Sequence, residues 1–142
     1  MPKTSIPIKL QKIGADGFHL LAELRINGVK VKIVVDTGAS RTVFDVNLIR
    51  DLENKKKIRK HAQLSSGLGT NTMESQTLVL SLLELGSFQL KNYKTVLLDL
   101  SHVNSSYSAL GIKPVLGVLG SDLLRKFKAR ISYANKKMIL EK

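Results

Sequence analysis

Apolar and polar residues alternate along two stretches that meet at Asn27-Gly28. Apolar side chains occupy every second position from Phe18 to Ile26, and the same spacing returns from Val29 to Val35. An Asn-Gly pair between two such stretches favours a type I′ turn, in which both central residues have positive φ. The pattern predicts a β-hairpin. Its second strand ends in the apolar run Ile33-Val34-Val35 and is therefore expected to be buried.

Most of the remaining chain also favours strands. Residues 76–85 and 88–100 are β-like and flank Gly86-Ser87, and residues 130–133 and 137–140 read as a terminal hairpin. The run 115–120 is expected to be a short buried strand whose glycines allow another backbone to approach closely. Ser121 then predicts the N-cap of a helix from Asp122 to about Phe127. Many strands and one helix indicate an all-β domain.

Two polar segments are expected to be irregular. Residues 65–72 are small, polar and glycine-rich, which is typical of a mobile hairpin tip. Ser101 to Ser108 is so rich in serine and asparagine that a surface loop is expected there rather than a packed element. Phe44 to Leu52 predicts a short helix or turn. No linker or repeat divides the chain, so residues 1–142 are expected to form one domain.

Composition narrows the class of protein. A chain of 142 residues with 43% apolar content is large enough to bury a core without cross-links. Cysteine is absent, which excludes disulfides, thiolate metal sites and thiol nucleophiles. The alternating N-terminus lacks the apolar run of a signal peptide, and no segment reaches membrane-spanning length. These features predict a cytoplasmic protein without a membrane partner.

The net charge of +12 leaves several partners open. Nucleic acid, a membrane surface, an acidic substrate and a merely solvated basic exterior are all compatible with it. The densest basic stretch, residues 55–61, contains no aromatic side chain that could stack on a base. Charge runs are usually exposed, so a solvated face is the favoured interpretation and nucleic-acid binding is disfavoured.

The segment Asp36-Thr37-Gly38-Ala39-Ser40 leaves the end of the buried strand and combines features that suit acid–base chemistry. It offers a short acid, a hydroxyl that could brace the loop, and a glycine whose amide could approach the carboxylate. Two carboxyl groups that share one proton can activate water for peptide hydrolysis. Taken alone, however, Asp-Thr-Gly is better interpreted as an ordinary turn.

The order of motifs along the chain removes that ambiguity. Asp36-Thr37-Gly38-Ala39-Ser40 after an apolar strand, a glycine-rich stretch some thirty residues later, and Leu119-Gly120-Ser121-Asp122 opening a helix together resemble the retropepsin-like aspartic proteases. The resemblance spans roughly Leu20 to Leu140. Gly120-Ser121-Asp122 replaces the Gly-Arg-Asp or Gly-Arg-Asn of viral members, so the chain is closer to cellular and bacterial ones. The salt bridge of that arginine is not carried over.

The resemblance implies a closed acid-protease barrel with one short C-terminal helix and a set of site residues. Asp36 would be catalytic, and the Thr37 hydroxyl would lock two copies of the loop together across a dimer. Gly38, Ala39 and Ser40 would support that loop. A flap over residues 63–73 would contact substrate through Ser66, Gly67, Leu68, Gly69 and Thr70. Support from the second loop would come from Leu119, Gly120 and Asp122.

The other candidate residues are not favoured as catalytic or metal-binding groups. Asp122 near the helix N-terminus is favoured as a structural acid that complements the helix dipole. Asp99 lacks a following Thr-Gly and is interpreted as structural. The three histidines, His19, His61 and His102, show no metal-ligand spacing, and no Gly-x-Ser-x-Gly elbow is present. No metal and no cofactor are expected.

The sequence therefore predicts an aspartic endopeptidase acting on protein or peptide substrates. Because the chain contains a single Asp-Thr-Gly motif, a homodimer is expected to supply the second carboxylate. A different class of function stays open: a non-catalytic dimerisation or peptide-binding module on the same fold, with its charge recruiting an acidic partner. Retention of the whole run from Asp36 to Ala39 favours the enzyme.

Overall fold

The computed structural model describes residues 2–50, 52, 58–67 and 70–142, and only the backbone of 58–67 and 70–75. The strands are β1 (Lys3–Ile13), β2 (Gly17–Ile26), β3 (Val29–Val35), β4 (Val43–Asp45), β5 (Ile58–Gly67), β6 (Thr70–Leu85), β7 (Phe88–Leu98), β8 (Gly117–Leu119), β9 (Arg130–Ser132) and β10 (Lys137–Glu141). The helices are α1 (Val46–Ile49), α2 (Ser101–Ala109) and α3 (Ser121–Lys126). The predicted all-β class is confirmed.

Six of these strands close into a barrel. Neighbours around it run β6, β7, β4, β8, β3 and β2, and β2 returns to β6 through Arg25–Glu84 and Ile26–Leu83 pairing. β1 pairs with β2 along its second half and with β10 along its first half, so the sheet continues outward to β10 and β9. Barrel closure removes the exposed edges that an open sheet of these strands would present.

The inward face of the barrel is apolar because successive strand residues point to opposite sides. Alternate positions of β2 and β3 are buried, as the period-two pattern requires. The largest fully buried side chains include Phe44, Leu24, Ile33, Leu80 and Leu83. Each contributes about 1.5–3 kcal/mol when removed from water. The core thus draws on every part of the barrel wall.

The β2–β3 hairpin has the turn that the sequence predicts. Asn27 and Gly28 both have positive φ, 52° and 81°, as a type I′ turn demands. The Asn27 side chain also accepts a hydrogen bond from the Leu82 amide at 3.1 Å and donates to the Leu52 carbonyl at 2.9 Å. The turn is therefore attached to β6 beside the point where the barrel closes.

Strand β8 lies between β3 and β4, with a parallel partner on one side and an antiparallel partner on the other. A Cβ added to Gly117 would lie 2.5 Å from the Val43 carbonyl oxygen and 2.7 Å from the Phe44 ring. This close approach is the reason for glycine there and confirms the close backbone approach expected for the run 115–120.

Two local predictions were wrong. Ser101 to Ser108 is not a loop but most of α2, whose Tyr107 is buried against Leu21 and Val115. Tertiary packing of one aromatic face outweighs the weak helix preference of serine and asparagine. Ser121 is the first residue of α3, and the N-cap is Gly120, with no side-chain cap.

Some predicted features fall outside the described residues. The lysines 55–57 are among them, and the side chains of the basic residues 59–61 are not described either. Within the described ranges, no helix is long and apolar enough to cross a membrane.

The packing of β8 yields a test of stability. Gly117→Ala should lower the free energy of unfolding by about 1–3 kcal/mol, because the new methyl group meets backbone and a buried ring rather than flexible side chains. Thermal or urea unfolding monitored by circular dichroism measures the change.

The matched control is Gly17→Ala at the start of β2, where the nearest atom to an added Cβ is the Ile13 carbonyl oxygen at 3.2 Å. This exposed site should lose clearly less stability than Gly117 does. Equal losses at the two positions would contradict the close packing of β8 between its neighbours.

Candidate active site

The loop that begins at Asp36 is held against the β8–α3 segment by backbone hydrogen bonds. The Asp36 amide donates to the Leu119 carbonyl at 3.0 Å, and the Ser121 amide donates to the Ala39 carbonyl at 2.7 Å. Within the loop, the Ala39 amide donates to the Asp36 carbonyl at 3.1 Å. One end of the turn is thereby attached to the buried strand β8 and the other to the first residue of α3, which fixes the backbone of Asp36.

The Asp36 carboxylate has a defined orientation although it is exposed. The Gly38 amide donates to its Oδ1 at 2.9 Å. A Cβ at Gly38 would lie 3.3 Å from the same oxygen, so a larger residue there would crowd the carboxylate. Asp36, Thr37 and Ser40 are exposed in the single chain, and Ala39 is half-buried. An oriented, accessible carboxylate is what a general base requires.

A second group of hydrogen bonds joins the far end of the loop to α3. Thr42, only 2% exposed, donates its amide and its hydroxyl to Asp122 Oδ1 at 2.9 and 2.7 Å. The Gly120 amide donates to the Thr42 hydroxyl at 3.0 Å, and the Leu123 amide donates to Asp122 Oδ1 at 2.8 Å. Asp122 therefore links the first turn of α3 to the strand that follows the Asp36 loop.

Tyr93 lies close enough to this network to be affected by its charges. Burial raises the pKa of Tyr93 to about 12, and the Asp122 charge adds to the shift while Arg41 opposes it. The phenol of Tyr93 is therefore neutral near neutral pH.

A groove of about 540 Å³ opens beside the Asp36 loop. Its lining residues come from the start of β2, the end of β3, the Asp36 loop, α2, β8 and the segment around β9. The residues that line it are Phe18, His19, Leu20, Val34, Val35, Asp36, Thr37, Val103, Tyr107, Val118, Ile131 and Tyr133. Asp36 is the one carboxylate among these described lining residues.

The α2 wall of the groove is fixed by polar contacts at two points. The Tyr107 hydroxyl lies 2.7 Å from His19 Nδ1, and burial raises the pKa of this phenol. Asn104 accepts a hydrogen bond from the Val115 amide at 2.8 Å and donates to the Val115 carbonyl at 3.1 Å. Together these contacts attach α2 to β2 and to the segment leading into β8.

The remaining predicted site residues are placed as follows. Leu119 and Gly120 are buried beneath the Asp36 loop, and a Cβ at Gly120 would lie 2.6 Å from the Arg41 carbonyl oxygen. In the predicted flap, Ser66 and Gly67 end β5 and Thr70 begins β6, with Gly67 paired to Thr70. Leu68 and Gly69 lie outside the described residues.

Asp99 does not line the groove. Hydrogen bonds from the Ser101 hydroxyl and amide hold the pKa of Asp99 below its ordinary value, and Asn47 donates to the same oxygen at 3.1 Å. It therefore braces the start of α2. Across the ranges that the structure describes, no three His, Asp or Glu side chains are grouped in a way that could hold a metal ion.

Sequence reasoning missed Thr42, His19 and Tyr107. Thr42 follows Arg41 in an exposed-looking stretch, and only the non-local contact with Asp122 reveals its role. Tyr107 is the one large apolar side chain in the serine-rich part of α2, a weak signal for a packed helix. His19 could not be paired with Tyr107 from the sequence, since the two are 88 positions apart.

Solved structures with the same fold include the following three. A retropepsin-like aspartic protease from Rickettsia conorii is 23% identical, with a TM-score of 0.57 over 98% of this chain and 89% of that one. The retroviral protease-like domain of Ddi1 from Leishmania major is 14% identical, with a TM-score of 0.62 over 86% of this chain and 87% of that one. EIAV protease in complex with the inhibitor HBY-793 is 17% identical, with a TM-score of 0.58 over 86% of this chain and 99% of that one.

At these identities the likeness shows the fold, and the predicted retropepsin-like barrel is confirmed. A comparison with curated proteins found no match. The model of the family described as aspartyl protease matches residues 22–123, a span that includes the Asp36 loop, α2, β8 and the start of α3. Since this match covers well over half of the sequence, the chain belongs to the aspartyl protease family.

Proposed function

We propose that the protein is an aspartic endopeptidase whose active site is completed by a second copy of the chain. The observation that carries the proposal is the Asp36 carboxylate, oriented by the Gly38 amide at 2.9 Å and exposed in a groove large enough for peptide side chains. The family match supports the chemistry, because it includes the loop that positions this carboxylate.

Peptide hydrolysis by this site needs two carboxyl groups with different protonation states. An ionised carboxylate takes a proton from water as the oxygen forms its bond to the peptide carbon. A protonated neighbour donates its hydrogen to the carbonyl oxygen. The carboxyl group that took the proton from water gives it to the nitrogen as the C–N bond breaks and the amine leaves. As the new carbonyl forms, the hydroxyl of the intermediate returns its proton to the other carboxylate, so both groups regain their starting protonation states.

One chain supplies half of this pair. Asp36 is the one carboxylate among the described residues that line the groove, and it is exposed rather than paired within the chain. A two-fold axis beside the loop would bring the same residue from a second copy to face it, since an isologous interface repeats every contact. Two like charges at about 3 Å cannot both ionise, so the pair would share one proton.

Two further roles follow from the proposal. The exposed Thr37 hydroxyl is available to brace the partner loop across the axis. The β5–β6 hairpin, paired as far as Gly67 and Thr70, is proposed to close over bound peptide as a flap and exclude water from the reaction. Cleavage of a folded or unfolded protein would then take place between the two chains.

Replacing the carboxylate is the direct chemical test. Asp36→Asn should leave the fold unchanged, because the amide is nearly isosteric, and should reduce peptide hydrolysis by at least about a hundredfold through loss of the ionisable group. Turnover of a peptide library, read by mass spectrometry, measures the loss, and circular dichroism checks the fold.

The control variant is Asp16→Asn in the turn before β2, which removes an exposed carboxylate that does not line the groove. It should retain full activity. Undiminished hydrolysis by Asp36→Asn would contradict the catalytic role. Absence of hydrolysis by the unmodified protein under all conditions of pH would favour the binding module instead.

Mixing experiments test the shared site. With a ninefold excess of Asp36→Asn, activity per unmodified chain should fall to about one tenth, because random pairing leaves one such chain in ten with an intact partner. An equal excess of Asp16→Asn should not inhibit. Energy transfer between labelled subunits establishes that chains exchange during the assay.

Dilution provides the complementary measurement. Specific activity should fall once the concentration drops below the dimer dissociation constant, because monomers hold a single carboxylate. Activity that stays constant in a demonstrated monomer, together with no inhibition by exchanged Asp36→Asn chains, would refute the shared pair and require a one-chain mechanism.

A further inference from the structure

Three segments of the chain meet where β10 ends. The Lys142 amide donates to the Pro2 carbonyl at 3.1 Å, and the Glu141 amide donates to the Phe127 carbonyl at 2.7 Å. Lys3 is the register partner of Glu141 on the adjoining strand β1. The start of β1, the end of β10 and the end of α3 are therefore held side by side.

These segments carry five exposed cations, which we call the α3–β10 basic surface: Lys3, Arg125, Lys126, Lys128 and Lys142. Nearby, Glu141 forms an ion pair with Arg130 at 3.9 Å, but none of the five cations pairs with another described residue. Attraction to the C-terminal end of the α3 dipole accounts for Arg125 and Lys126 alone. The positive charge of this surface is thus available to an outside partner.

Two of the ammonium groups are held over aromatic rings rather than beside carboxylates. Lys142 Nζ lies 4.9 Å from the centre of the Phe88 ring, and Lys126 Nζ lies 5.7 Å from that of Phe127. The two rings pack on each other with their centroids 5.5 Å apart. Attraction to the ring faces restrains both lysines and leaves their charge uncompensated, which lowers the ordering cost of binding an anion.

Lys128 has a backbone conformation that favours glycine. Its φ is 49°, and it follows the C-cap of α3. The Ala129 amide donates to the Leu124 carbonyl at 2.9 Å and the Lys128 amide to the Arg125 carbonyl at 3.1 Å, which are the two bonds of a Schellman motif. A lysine strains this left-handed position, whereas glycine does not. The residue is therefore unfavourable for local stability, and a positive charge is what glycine would lack.

We propose that the α3–β10 basic surface is a docking site for an acidic segment of a partner protein. Uncompensated cations attract a segment in which glutamate or aspartate recurs, and such complementarity speeds association and fixes orientation. None of the five cations lines the groove beside Asp36. A partner docked here leaves that groove open, so the inference does not depend on the proposed catalysis.

The local chemistry favours a protein partner over nucleic acid or a membrane. Phe88 and Phe127 are only 4% and 3% exposed, so neither ring can stack on a base. Glu141 lies among the cations and would meet the closely spaced phosphates of a duplex, whereas carboxylates about 7 Å apart on one face of an extended peptide can avoid it. The exposed large apolar side chains of the described residues, which could enter a bilayer, lie elsewhere: Phe18, Val29, Leu48, Leu110 and Tyr133.

The test uses a blocked peptide of eight glutamates, a blocked peptide of eight glutamines as the neutral control, and the Asp36→Asn protein, so that hydrolysis cannot intervene. In about 0.1 M salt only the glutamate peptide should bind, and it should shift the ring signals of Phe88 and Phe127. Combining Lys126→Gln, Lys128→Gln and Lys142→Gln should weaken binding about tenfold or more, because each exposed charge contributes modestly. Absence of binding by the glutamate peptide would overturn the proposal.

Lys128→Gly separates binding from stability. It should raise the midpoint of thermal unfolding, because the backbone strain is removed, and should weaken glutamate-peptide binding about threefold. The matched control is Lys136→Gly, an exposed lysine with a φ of 53° at the other end of β10, about 20 Å from Lys142 by strand geometry. It should gain similar stability and keep its affinity. Equal losses of affinity in the two variants, or no loss in Lys128→Gly, would contradict a defined site.

Two comparisons identify the class of partner. The triple lysine variant should lose more affinity for the glutamate peptide than for duplex DNA or for vesicles that contain phosphatidylserine. A larger loss for DNA or for vesicles would assign the surface to that partner and reject the acidic protein segment. The unmodified protein and Asp36→Asn should bind the glutamate peptide equally, and a difference between them would place the peptide in the groove instead.

Discussion

The position of Asp36 depends on the hydrogen bonds that join its loop to the β8–α3 segment. The loop backbone is attached to Leu119 and Ser121, and Thr42 beyond it is attached to Asp122 and Gly120. These bonds form only because β8 enters between β3 and β4, where glycine permits the approach. The backbone of Asp36 is thus fixed by the β8–α3 segment, and the Gly38 amide within the loop orients its carboxylate.

The position of β8 between β3 and β4 also shapes the groove beside Asp36. Val118 of β8 and Val34 of β3 are register partners, and both line the space beside the carboxylate. Tyr107 of α2, whose hydroxyl lies 2.7 Å from His19 Nδ1, also lines this space. One chain therefore provides a rigid carboxylate and one shaped pocket but not the second carboxyl group that the proposed reaction needs. In the proposed reaction, catalysis therefore requires a second copy of the chain.

The sequence predicted the parts of the fold that local patterns encode. The Asn27-Gly28 turn, the buried end of β3 and the strand–helix unit at the C-terminal side all follow from periodicity and turn chemistry. It failed for α2, because a serine-rich helix is stabilised by non-local contacts of Tyr107 and Asn104 that no short window contains. The Asp36 motif was visible in the sequence, whereas Thr42 and His19 acquire their partners only through the barrel topology.

The measurement that tests the central claim most directly is the distance between the two Asp36 carboxyl groups in a crystal structure of the dimer. The account predicts that their nearest oxygens lie at about 3 Å, close enough to share a proton, with the two grooves meeting on either side of the axis. A dimer that hydrolyses peptides in solution while its Asp36 carboxyl groups lie on separate, non-adjacent surfaces would contradict it.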